Sequence, residues 1–193
     1  MKQAQAALLL IVFLLTGCAS NRLIDSQVNA FAPQPVPAGS AYRFERLPSQ
    51  QDSTGQDQLE AFAQDALAQV GLKHDEARAA YSVQVSANQR AHSVLLDRPA
   101  LGWQLGWMVG NGGISVGGDD LFPGLEAQTN YQYEVGLIVR HRASQAVVFE
   151  TRATHDGPWA DSAQILPAML QAALQGFPAP PAGMRRVNME IPR

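Results

Sequence analysis

Residues 131–153 read YQYEVGLIVRHRASQAVVFETRA. Tyr131, Tyr133, Val135, Leu137 and Val139 recur at every second position, the period of a strand with one buried face. The short Arg142-Ala143-Ser144-Gln145 connection follows, and then a second extended run from Ala146 to Ala153. Two such runs joined by a few polar residues predict an antiparallel hairpin.

The sequence on either side of this hairpin suggests what covers it. Upstream, Tyr81, Val83, Val85 and Ala87 alternate with Ser82, Gln84, Ser86 and Asn88, again a strand with one wet face. Before that, Leu59, Phe62, Ala63, Ala66, Leu67 and Val70 stand at helical spacing between Asp57 and Gly71. Acids favour a helix N-terminus and glycine suits the left-handed position past its end, so a helix is expected over 57–70. Alternation in 41–47 predicts a further strand ending at Pro48, and Leu23 to Phe31 a first strand. Downstream, Leu166, Met169, Leu170, Ala173 and Leu174 predict a helix over about 161–175, stopped by Gly176. Pro167 is awkward there, because an interior proline costs ~3 kcal/mol and tends to kink the helix. The order of elements gives an α+β class: a single domain with an antiparallel or mixed sheet of about five strands and two helices packed on one face. Residues 179–193 form a Pro-rich tail in which 187–191 are compatible with an edge strand.

The N-terminus carries a different signal. Lys2, the apolar run Ala6 to Leu15 and Leu15-Thr16-Gly17-Cys18 are similar to a bacterial lipoprotein signal. The run is too short to span a bilayer, which needs ~20 apolar residues. Residues 1–17 are then a signal peptide, and 18–22 the lipidated N-terminus and tether. Cys18 is the only cysteine, and a thiolate is nucleophilic enough to take a diacylglyceryl group. The resemblance implies cleavage before Cys18 and, with Ala19 rather than Asp next to it, an outer-membrane, periplasm-facing protein. Two or three acyl chains hold a protein on a bilayer almost permanently, at ~0.8 kcal/mol per buried methylene.

Composition narrows the partners. Without residues 1–17 the chain keeps 13 basic and 17 acidic side chains, since Lys2 is the one charge removed. A mildly acidic chain without a Lys/Arg cluster has no electrostatic footprint for nucleic acid. About 170 residues is enough for one domain with a real core.

The Tyr42-Arg43-Phe44 strand, the 59–72 helix, Tyr81-Ser82-Val83-Gln84-Val85, the Tyr133-Glu134-Val135-Gly136-Leu137 hairpin and the closing helix before Gly176-Phe177-Pro178 together resemble one family. It is the bacterial lipoproteins grouped as domain of unknown function 4136, and the likeness covers most of residues 23–178. That resemblance implies an exported α+β domain and supplies no catalytic residues.

An insertion at 99–125 interrupts the fold pattern with glycines, Trp103, Trp107, Met108, Leu121 and Phe122. Loops beyond ~12–15 residues are often functional. Trp103, Trp107, Met108 and Phe122 are the candidate contacts to a partner or ligand, since Trp suits half-wet interfaces. The competing reading folds them back on the sheet. Gly110-Asn111-Gly112-Gly113 lacks the spacing of a phosphate-binding fingerprint, and Asp119-Asp120 lack a calcium loop around them. His74, His92, His141 and His155 show no metal spacing and read as surface residues. No Gly-x-Ser-x-Gly elbow, Ser-x-x-Lys pair or His-Glu-x-x-His helix is present. The expectation is therefore a non-enzymatic envelope protein without cofactor or metal, bound to the membrane by its lipid and serving as an accessory to an envelope protein partner. The alternative is a binding module for a lipid or hydrophobic small ligand.

Overall fold

The computed structural model describes residues 21–96 and 126–192. Within them lie β1 (Asn21–Phe31), β2 (Ala41–Phe44), α1 (Thr54–Gln69), β3 (Lys73–His74), β4 (Tyr81–Leu96), β5 (Glu126–His141), β6 (Val147–Gly157), α2 (Ser162–Leu174) and β7 (Arg185–Pro192). They build one seven-stranded sheet in the order β3-β2-β4-β5-β6-β1-β7. β2 is parallel to β3 and β4, and the remaining pairs are antiparallel, so the sheet is mixed.

The α+β class is as expected, but the strand number is corrected from about five to seven. β3 has two residues, too few to carry any periodicity. β7 is the tail segment, and it is an integral strand: Arg185 to Pro192 pair with Val28 to Asn21 without interruption. The predicted hairpin is β5–β6, with Val139 opposite Phe149 and a register irregularity at Val139/Arg140.

The period-two pattern works because only one face is covered. On that face Ile24 and Val28 of β1, Val83 and Val85 of β4, Val135, Leu137 and Val139 of β5, and Phe149 and Ala153 of β6 are buried. Leu59, Ala63 and Leu67 of α1 and Ile165, Met169, Leu170 and Leu174 of α2 meet them in a single core. The two helices lie side by side over it. The opposite face has no such layer among the described residues and carries Gln27, Asn29, Asn88, Gln132, Glu150, Arg152 and Asp156.

Helix α1 begins three residues before the predicted Asp57, because the Ser53 hydroxyl caps it by accepting from the Gln56 N–H at 3.3 Å. It stops where Gly71 takes φ +88°. Helix α2 ends similarly at Gly176, φ +84°. Pro167 lies inside α2 as its sixth residue, beyond the first turn, where it removes one intrahelical donor. Near the other end of α2 the buried Thr151 hydroxyl donates to Ala173 O at 2.9 Å, giving one of the last helical carbonyls a partner from β6.

Leu170 is fully buried and Leu23 is half-exposed on the uncovered face. Leu170→Ala is expected to cost about 2–5 kcal/mol in urea unfolding, and Leu23→Ala less than about 0.5 kcal/mol. Equal losses would contradict the assignment of faces.

Candidate functional site

Strand directions gather several segments at one end of the sheet. β6 is antiparallel to both β1 and β5, so β1 and β5 start at the same end, and β4, antiparallel to β5, finishes there. Gln27, Thr154, Glu134 and Asn88 lie at one level across four strands. From that level β5 extends back to Glu126 and β4 runs on to Leu96, eight residues or ~26 Å each. β1 reaches back six residues to Asn21. Residues 97–125, outside the described residues, therefore leave and rejoin the fold at the end where the segment from Cys18 enters it. Cys18, Trp103, Trp107, Met108 and Phe122 all lie outside the described residues, as does the whole of the 99–125 insertion.

At this same end β1 and β6 separate. Their ladder runs from Phe31–Glu150 to Gln27–Thr154 and stops, while β1 continues against β7 and β6 against β5. His155 bridges the separation. Its Nδ1 is 2.8 Å from Asp25 O, and a carbonyl oxygen only accepts, so Nδ1 carries the hydrogen. The imidazole takes over where the ladder stops. His155 is 4% exposed, which corrects its reading as a surface residue. It follows Phe149, Thr151 and Ala153 in phase on the buried face, a signal the sequence does carry. The other three histidines are not buried: His74 is near Glu76, His92 near Asp156 and His141 near Ser144.

Around His155 the covered face becomes polar. The Tyr133 ring stacks on the imidazole at 6.4 Å. Its hydroxyl donates to Trp159 O at 3.2 Å and accepts from Gln89 Nε2 at 3.0 Å. Burial, with the nearby Asp161 charge and then Tyr131, raises the Tyr133 phenol pKa above its ordinary value. Arg22 Cζ lies 5.8 Å over the Trp159 ring, and its Nη2 donates to Gln164 at 2.6 Å. On the uncovered face the separation opens a cleft of about 280 Å³ lined by Asp25, Gln27, Gln132, Thr154, His155 and Asp156. Arg186 and His92 stand 3.3 and 3.4 Å from Asp25 and Asp156. Among the described residues no group of three His, Cys, Asp or Glu side chains is placed to hold a metal. What this arrangement offers is hydrogen bonding and charge pairing over an open surface.

A second groove, of about 440 Å³, lies toward the far end of β1, bordered by Phe31, Glu150, Arg152 and Met184. Phe31 and Met184 are 64% and 71% exposed.

Tyr133→Phe removes two side-chain hydrogen bonds and is expected to cost about 1 kcal/mol at neutral pH. Because folding raises the phenol pKa, the stability linked to its proton is complete below the unfolded value of 10.0 and is lost as pH rises through the folded one. The deficit of Tyr133→Phe should therefore shrink above about pH 10 in denaturant titrations. A deficit that grows there would contradict the buried phenol.

No curated protein matches the chain by sequence. Among solved structures, the PelC dodecamer from Paraburkholderia phytofirmans aligns at 10% identity and TM-score 0.50, over 81% of this chain and 99% of that one. A second crystal form, of a PelC variant, aligns at 11% identity and TM-score 0.49, over 80% and 98%. A PDZ domain protein from Parabacteroides distasonis aligns at 9% identity and TM-score 0.50, over 89% of this chain and 39% of that one. Identities this low are a likeness of fold alone. The model of the domain of unknown function DUF4136 matches residues 27–179, nearly the span over which the hydrophobic patterns resemble it, and the chain belongs to the DUF4136 family.

Proposed function

We propose that the chain is a non-catalytic, lipid-anchored envelope protein, held through Cys18 in the outer membrane with its domain in the periplasm. It serves as an accessory that engages a protein partner through the 99–125 insertion, with Trp103, Trp107, Met108 and Phe122 as contacts. One observation carries this reading: the roots of the insertion, Leu96 and Glu126, and the start of β1 at Asn21 share one end of the sheet. Asn21 is three positions beyond Cys18, a span of at most ~10 Å. A lipid on Cys18 thus keeps the roots of the insertion close to the bilayer. An aromatic, glycine-rich segment there meets the headgroup region or a protein embedded in it, and Trp suits such half-wet positions.

Two experiments test this. Cys18→Ser should abolish incorporation of labelled palmitate and release the protein from the membrane fraction; retention of the label would contradict anchoring at Cys18. A photo-crosslinking residue at Trp107 of the lipidated protein, irradiated in cells, should give one dominant protein adduct. Lipid adducts alone would favour the lipid-binding alternative, and no adduct would sink the partner role of the insertion.

A further inference from the structure

The sheet has two edges, and they are treated differently. β3 is two residues long and includes Lys73. Shortness and lysine are both devices that stop an edge from pairing with another chain. β7 has neither. It runs for eight residues, RRVNMEIP, in unbroken register against β1, with its proline at the last position. Among the described residues no strand pairs with its other side.

The sequence of β7 is self-complementary in one register. When two copies of an edge strand pair antiparallel about a two-fold axis perpendicular to the sheet, opposed residues point to the same face. Centred on Asn188, the pairing sets Arg186 opposite Glu190 and Glu190 opposite Arg186 on the uncovered face. On the helix side it sets Val187 opposite Met189, twice. Centred on Val187 it opposes Arg186 to Asn188 and Glu190 to Met184; centred on Met189 it opposes Arg186 to Pro192 and Glu190 to Asn188. Of these registers only the one centred on Asn188 pairs both charges of the uncovered face, with Arg185 opposite Ile191 on the helix side; opposite charges directly across an antiparallel pair attract while like charges repel.

We propose that β7 pairs with β7 of a second copy of this chain in the register centred on Asn188, joining two seven-stranded sheets into one with all four helices on the same side. Arg186 is well exposed, with Nε 3.3 Å from Asp25 of its own chain, so it meets an incoming Glu190 without leaving a buried partner. Asn21 stands opposite Pro192, so the two Asn21 residues are eight positions apart along the strands, ~27 Å, and three strand spacings apart across them, ~14 Å. Two lipids attached there enter one bilayer when the strands lie along its plane, and each insertion then emerges beside its own anchor.

The test is mild oxidation of the full-length, detergent-solubilised protein carrying single added cysteines. N188C should give a disulfide-linked dimer, because that residue faces itself across the axis. R186C and E190C should each stay unlinked alone and should link when mixed; the unsubstituted chain, which retains Cys18, is the control. In sedimentation, R186E should weaken the dimer about tenfold, and R186E/E190R should restore it. These side chains are exposed, and circular dichroism melting verifies that each variant is folded. An unlinked N188C, or R186C that links to itself, would overturn the proposal.

Discussion

The pairing of β6 with β1 on one side and β5 on the other is the constraint from which the rest of the molecule follows. Antiparallel pairing on both flanks forces β1 and β5 to run the same way. Three chain segments far apart in sequence, the entry at Asn21, the exit at Leu96 and the return at Glu126, are thereby brought to one end. A parallel neighbour at either position would have sent the insertion to the opposite end from Cys18. Chain direction in the sheet thus decides which segments share the end at which the chain enters it.

The same strands show where regular pairing gives way. β1 cannot follow β6 to its end and also stay with β7, and the separation leaves backbone polar groups that need partners. His155 supplies one by donating to Asp25 O. Tyr133, Trp159, Gln89, Arg22 and Gln164 extend the polar arrangement toward the entry of the chain. Away from this end the covered face is apolar and tightly closed by α1 and α2. Stability and surface chemistry are thus divided along the strands: the core sits under the helices, and the hydrogen-bonding groups gather near the end where the chain enters the sheet.

What the sequence reveals tracks burial. β5 and β6 are legible because Tyr133, Val135, Leu137, Val139, Phe149 and Ala153 lie under a helix layer, which imposes alternation. Beyond Asn88, from Gln89 to Ser93, β4 is exposed on both faces, so no pattern marks that stretch and the strand reads shorter than it is. β3 is too short to be seen. β7 shows its alternation in Val187, Met189 and Ile191, but the prolines before it make the segment look like a tail. His155 is in phase with the buried face, and its residue type hides that phase. Cys18 and the tryptophans of the insertion are conspicuous by chemistry rather than by fold, which is why the sequence names them while the sheet supplies only their point of attachment.

The most direct measurement is quenching of tryptophan emission in the lipidated, full-length protein on vesicles containing a lipid with a nitroxide near its headgroup, in a Trp159→Phe background that leaves Trp103 and Trp107. Strong quenching is expected, and it should disappear when Cys18→Ser removes the lipid. Unquenched emission from protein that remains bound to the vesicles would contradict the claim that the insertion and the anchor share one end of the molecule.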